Sequence, residues 1–380
     1  MVPARTESPA AARRGLPRPA RPPVESREPR PERAWRETLA PYAQAHTGRA
    51  LLGLATSVVP YLALSLAMYF AIRVSDLLAL AVAIPTSAFL VRTFIVFHDC
   101  SHSSFLAARR ANAWLGTALG LLLYSPFVRW QHDHAVHHAT SGDLGRRGVG
   151  DIRTLTVAEY STLPWRGRLG YRLIRSPLLM FGLGPIVAMV IGPRFVARGA
   201  RPRMRRSVLA TDLALAGLIG MLCWLIGWQD YLLVCAPPAL LAGSIGIWLF
   251  YVQHQFEEAY WESGENWSYV SAALRGSSYL KLPRPLQFCT GNIGFHHIHH
   301  LSARIPYYNL PRAHEENAIF QDVPTLSLRD GLRAVALKLW DEDRQRLVTF
   351  AQARAEARAE ARAAASARPR APEQARRGPA

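Results

Sequence analysis

The stretch LLALAVAIPTSAFLVRTFIVFHDCSHSSF, residues 77–105, runs from an apolar segment of bilayer length straight into a pair of histidines. Residues 77–97 carry a single charge, Arg92, near one end. A helix needs about 20 predominantly apolar residues to cross the hydrocarbon of a bilayer. The next turn, His98-Asp-Cys-Ser-His102, is an i, i+4 pair. Such a pair shares one helix face, with side chains about 5–6 Å apart. A span that ends in two imidazoles puts candidate metal ligands at the membrane surface.

The same arrangement extends outward along the chain. Residues 51–72 form a second apolar run, and residues 207–228 and 231–252 a further pair joined by Gln229-Asp230. Residues 112–127 are too short to span comfortably, and residues 177–193 are interrupted by Pro177, Pro185 and Pro193. Both are expected to dip into the membrane or to lie at its interface. Half of the 380 residues are hydrophobic and bunched, as in a membrane protein. The net charge of +18 is dominated by arginines in the termini and in loops between apolar runs. With no nucleic-acid motif present, that excess points to an anionic membrane face and away from nucleic acid. Six arginines fall within residues 194–206, which the positive-inside rule makes cytoplasmic. With the basic N-terminus also inside, four helices cross, both termini are cytoplasmic and the polar mass lies on one side. The setting this implies is a bacterial inner membrane.

Residues 1–31, with eight prolines, read as a disordered tail. Residues 32–345 read as the membrane-embedded domain, opening with a short surface helix around Trp35 and Tyr42. Residues 346–380 read as an Ala/Arg-rich C-terminal tail, helix-prone at first and disordered after Pro369. The four cysteines form no CxxC pair and indicate neither a disulfide framework nor a zinc knuckle.

Ten of the thirteen histidines fall in three clusters: His98/His102; His134-Ala-Val-His137-His138 with His132 upstream; and His296-His297-Ile-His299-His300. In the topology above all three lie on the cytoplasmic side near helix ends, where they can converge. Imidazole suits Zn, Cu, Fe and Ni. Eight histidines match the HxxxH and HxxHH patterns, too many for one four-coordinate structural zinc and suited to two metals. An all-imidazole site keeps more positive charge than a carboxylate site and should be more oxidising, which favours iron, although spacing alone leaves the metal open.

These stretches carry a resemblance. HDCSHSSF at 98–105, HAVHH at 134–138 and GNIGFHHIHH at 291–300 resemble the three histidine boxes of membrane fatty acid desaturases. The sequence looks most like the acyl-lipid, omega-6 (delta-12) branch of bacteria and plastids. The likeness continues through GDLGRRGVGD at 142–151 and YVQHQFE at 251–257, covering roughly residues 40–320. The resemblance implies an all-α integral membrane protein of four spanning helices, with a cytoplasmic helical cap holding a histidine-rich di-iron site. Carried over, it makes His98, His102, His134, His137, His138, His296, His299 and His300 iron ligands, with His254 as a further one. His132 and His297 fall outside the HxxHH spacing, and His46 and His314 are lone. Asp99, Asp143 and Asp151 are candidates to accept the second ring N–H of a ligand histidine.

The implied reaction is O2-dependent introduction of a cis double bond into the acyl chain of a membrane lipid. No His-Pro-Gly-Gly haem motif is present, so electrons would come from a separate carrier such as ferredoxin or a b5-like protein. Trp130, Phe256, Trp261 and Phe295 are expected in the wall of the acyl tunnel. Two readings compete: a related lipid or carotenoid hydroxylase or ketolase, and a metal transporter. A transporter would set its ligands near the bilayer midplane.

Overall fold

The computed structural model describes residues 31–367 apart from 198. The expected proline-rich tail at 1–31 lies, but for its last residue, outside the described residues, as does the segment after Pro369. The described chain is mostly helical. A short helix α1 (Pro31–Leu39) leads into two long ones, α2 (Thr47–Ala71) and α3 (Asp76–Ser101). Then come α4 (Arg109–Leu122), α5 (Phe127–Thr140), α6 (Trp165–Ile174) and a second long pair, α7 (Pro202–Ile226) and α8 (Trp228–His254). Among the described residues four helices, α2, α3, α7 and α8, are long and apolar enough to cross a membrane.

Their outer faces explain how such helices are tolerated. Leu51, Leu62, Leu66 and Phe70 on α2, and Leu209, Leu213 and Trp224 on α7, are exposed. In lipid an outward leucine costs nothing, provided the backbone is satisfied within the helix. The central helix is α3, whose residues Leu90–Ser101 are almost all buried. At about 1.5 Å per residue its 26 residues reach about 39 Å, longer than a hydrocarbon core of about 30 Å. The surplus carries His98 within the last turn, with His102 as the C-cap. The expected end at residue 97 is thus exceeded because nothing stops the helix until Ser103 takes a left-handed φ of 56°. The tight α2–α3 and α7–α8 connections make each pair a hairpin, and both hairpins open toward the end that bears His98 and His254.

The two weaker runs are bent rather than straight. α4 and α5 meet at 104°, and α6 and the segment Leu179–Arg194 at 56°. The first bend lets Phe127 close against Gly116, where a Cβ would stand 2.1 Å from the ring. It also turns α5 so that its histidines face α3.

Over the histidine-bearing end lies a cap of short elements. β1 (Leu155–Thr156) pairs with β4 (Leu339–Asp341), which pairs with β5 (Arg346–Val348), and β2 (Tyr279–Leu280) pairs with β3 (Thr325–Leu326). Helix α9 (Arg284–Cys289) precedes α10 (His296–Leu301), and α11 (Phe350–Ala367) ends the described chain. The expected domain boundary at 345 cuts a hairpin. Leu347 and Val348 are fully buried against the cap, and residue 350 onward is helical. Phe350 and Ala353 at the start of α11 pack with Leu339 and Val348, which anchors the helix despite the mild Arg–Arg repulsion along it.

A buried basic pair ties this hairpin to α8. The Tyr251 hydroxyl donates to the Leu337 carbonyl. Arg175 Nη2 donates to Gln255 Oε1 at 2.9 Å, and Lys338 Nζ lies 3.4 Å from the Tyr251 hydroxyl. Burial, and then the neighbouring Arg175, push the Lys338 amine down to about 7. Unfolding restores the ordinary lysine value, so the charged amine penalises the fold fully below pH ~7, and the penalty shrinks as pH rises toward about 10.4. Lys338→Met should therefore raise the midpoint of thermal unfolding most near neutral pH, with the gain diminishing by pH ~9–10. Unfolding scans of both proteins across this range check it; a gain that grows with pH contradicts it.

Candidate metal centre

Four elements deliver the histidines. The end of α3 brings His98 and His102, α5 brings His134, His137 and His138, the last residue of α8 is His254, and α10 brings His296, His299 and His300. They meet as two adjacent groups. In one, His98, His102, His134, His138 and His299 offer nitrogens that all lie within 4.8 Å of one another; in the other, His137, His254, His296 and His300 do the same. The groups share a wall, with the His138 and His300 rings stacked at 4.2 Å.

Helix geometry explains the sorting. At about 100° per residue, positions i and i+4 diverge by about 40°, while i+3 lies about 60° to the other side. In α5 the i, i+4 pair His134/His138 joins the first group and His137 the second; in α10 the pair His296/His300 joins the second and His299 the first. Each HxxHH stretch therefore serves both groups, two histidines to one and one to the other.

The residues fit a metal. Ring nitrogens converge as Nε2···Nε2 pairs: His134–His98 at 3.0 Å, His138–His134 at 3.1 Å, His299–His138 at 3.0 Å and His296–His254 at 2.9 Å. Nitrogens held about 2.1 Å from one ion stand about 3.0 Å apart at a right angle and about 3.4 Å apart at a tetrahedral angle. Nε2 of His102, His137 and His300 is buried with no hydrogen-bond partner among the described residues. Burial first, and then neighbouring imidazoles, push His102, His134, His138, His296, His299 and His300 well below the ordinary histidine value. Neutral imidazole is the form that ligates.

The outer nitrogens are oriented from behind. His137 Nδ1 pairs with the Asp151 carboxylate. His98 Nδ1 lies 3.4 Å from Asp99 Oδ1, and Asp99 Oδ2 accepts the Tyr307 backbone N–H at 2.7 Å. His254 Nδ1 donates to the Gly276 carbonyl at 3.2 Å. Of the three candidate aspartates, Asp143 does not serve. It accepts Arg146 Nε at 2.5 Å and the Gly145 N–H at 2.8 Å, shaping a loop. A neighbouring cation and a local turn claim it, and sequence proximity to α5 did not reveal that.

The remaining histidines stand apart. His132 pairs with Asp133 at 3.1 Å on the surface, and His46 caps α2, accepting the Arg49 N–H at 3.3 Å. His297 is fully buried on another side of α10, 5.4 Å from the rings of both His314 and Phe320. His297→Gln should leave metal content unchanged while costing about 1–3 kcal/mol of stability. Metal analysis and an unfolding scan check this; metal loss matching that of a cage variant would make His297 part of the site.

An apolar cavity of about 770 Å³ reaches the histidines. His98, His134 and His296 form its polar end, Phe94, Ile95, Leu249 and Phe250 its walls, and Met180, Leu183 and Val187 its side toward the bent segment. Of the four expected wall aromatics only Trp130 lines it. Phe256 and Trp261 pack with Trp340 in a separate cluster of the cap, and Phe295 stacks on Tyr279 at 4.5 Å. One side of the cavity comes from Leu179–Arg194, whose irregular, proline-broken sequence hid its proximity to the site.

The chain matches the fatty acid desaturase family over residues 75–326. It is similar to a protein named fatty acid desaturase from Bacillus subtilis (strain 168), 47% identical over 82% of this chain and 89% of that one. It is more distantly similar to an sn-1 acyl-lipid omega-3 desaturase (ferredoxin) of Synechocystis, 29% identical over 58% of this chain and 62% of that one. An omega-6 fatty acid desaturase, chloroplastic, of Brassica napus is 26% identical over 58% of this chain and 50% of that one. With two histidine groups at the membrane-spanning end and these matches, the chain belongs to the fatty acid desaturase family, a family of oxidoreductases.

Proposed function

We propose that the chain is a di-iron, O2-dependent desaturase that introduces a cis double bond into the acyl chain of a membrane lipid. The observation that carries this reading is the junction of the two histidine groups with the lipid-sized apolar cavity. When bound, two irons with O2 and two electrons would supply the oxidising power to remove two hydrogens from neighbouring methylenes, chemistry that no acid or base side chain provides.

The residues of the chain have the complementary tasks. The ligating form of each histidine is the neutral imidazole, and Asp151 and Asp99 orient His137 and His98. The cavity excludes water and holds an acyl chain by burial, about 0.8 kcal/mol per methylene. His98, His134 and His296 face the cavity, so the carbons beside them are the ones that react. The relative whose printed name includes ferredoxin supports a one-electron protein carrier as donor. The basic start of α7 lies at the same end as the histidines, which supports a cytoplasmic site by the positive-inside rule.

The regiochemistry we favour is delta-12 (omega-6), on the likeness of the boxes and on the relatives of that name. The test is expression in a host that lacks polyunsaturated lipids, with fatty acid profiling and location of the double bond. The reading predicts new diunsaturated acyl chains, dependent on co-expressed donor. Hydroxylated chains without new double bonds would instead establish the hydroxylase alternative.

A further inference from the structure

A second cavity, of about 360 Å³, opens on a different face of α3, where α2, α3 and α9 meet. Three arginines line it, Arg49, Arg92 and Arg284, beside the polar groups of Gln287, Asn292 and Tyr307. Among the described residues no carboxylate does. Arg92 belongs to a spanning helix and is 6% exposed. Its guanidinium packs 3.8 Å over the Phe288 ring, donates to the Phe288 carbonyl and lies 3.3 Å from the Tyr307 hydroxyl, while its Nε is buried with no partner among the described residues. Arg49 donates to Asn309 Oδ1 at 2.7 Å and to the Tyr308 carbonyl. Neutral acceptors thus hold two of these cations in place without neutralising them. Burying an uncompensated charge is costly, and a concave cluster of such charges is what an oxyanion requires.

We propose that this cavity binds the phosphate group of an anionic membrane phospholipid. Position argues for a lipid over a soluble phosphate. Arg92 lies nine residues inside the histidine-bearing end of α3, about 13 Å along the axis. It is level with Thr56 of α2, 3.5 Å away. The rim includes Leu52 and Phe288, both exposed, as apolar residues at a lipid-facing mouth would be. Basic pockets between spanning helices at this depth suit lipid head groups. The site also touches the metal side of the molecule, since the backbone N–H of Tyr307 is held by Asp99 beside His98.

Native mass spectrometry of the full-length enzyme, titrated with dioleoyl phosphatidylglycerol or dioleoyl phosphatidylcholine, tests the proposal. The wild type should bind one phosphatidylglycerol about tenfold more tightly than phosphatidylcholine, the scale of one charge-assisted contact. Arg92→Gln should remove that preference. Arg284 is exposed on a short helix and its replacement does not threaten folding, so Arg284→Gln, which should lower the preference several-fold, keeps the test decisive. Equal binding of the two lipids, or a preference unchanged in Arg284→Gln, overturns the proposal. Inorganic phosphate that binds as tightly as phosphatidylglycerol and displaces it overturns the lipid assignment.

Discussion

Replacement of His299 by alanine is expected to abolish desaturation, lowering product by about 100-fold or more, and to cut bound metal by about half. His299 comes from the third histidine stretch yet joins the group built by α3 and α5. Its ring lies 4.4 Å from that of His98, 4.8 Å from that of His102 and 4.6 Å from that of His138. Its Nε2 stands 3.0 Å from His138 Nε2. Alanine leaves a hole where an imidazole stood, while His300 still completes the four-histidine group. Metal analysis of the purified variant together with lipid profiling checks this, with His297→Gln as the control for loss of a buried ring on the same helix. A His299→Ala variant that makes double bonds at the wild-type rate sinks the ligand assignment.

Asp151→Asn is expected to weaken metal affinity and activity by about 10–100-fold. The carboxylate accepts the His137 Nδ1–H, fixes the tautomer and aims Nε2 at the four-histidine group. Asparagine keeps the shape, but its amide can also present an N–H to Nδ1, which then no longer favours the ligating tautomer. The loop is specialised for this contact. Gly150, at a φ of 72°, places Asp151, and a Cβ there would stand 2.8 Å from the Asp133 carbonyl. Asp143→Asn should do far less, since Asp143 faces Arg146 and Gly145. Chelator competition on the two variants separates them; equal effects would mean that Asp151 acts only through loop stability.

Much of the candidate site was legible because its signals are local and redundant. The i, i+4 histidine pairs, the apolar run that ends in His98 and the four spans all read from periods within one helix. His254 was placed by likeness alone, since a single histidine at the end of a span carries no pattern of its own. What stayed hidden depends on contacts between distant segments. Leu179–Arg194 lines the apolar cavity, yet its prolines and glycines read only as a broken run. Phe256 and Trp261 look like tunnel aromatics by proximity to His254, but the chain leaves α8 there and turns into the cap. The pairing of β1 with β4 joins Leu155 to Leu339, and residues so far apart leave no periodic trace. The arginine cavity gathers residues from α2, α3 and α9, none of which stands out in a chain so rich in arginine.

The two histidine groups are proposed to hold two irons beside an acyl cavity. Metal quantification joined to Mössbauer spectroscopy of the 57Fe-enriched, active enzyme tests it most directly. About two irons per chain are expected, in two nitrogen-rich environments of equal weight, as for a di-iron site built on facing helices. A single iron, or zinc in its place in enzyme that still desaturates, would contradict it.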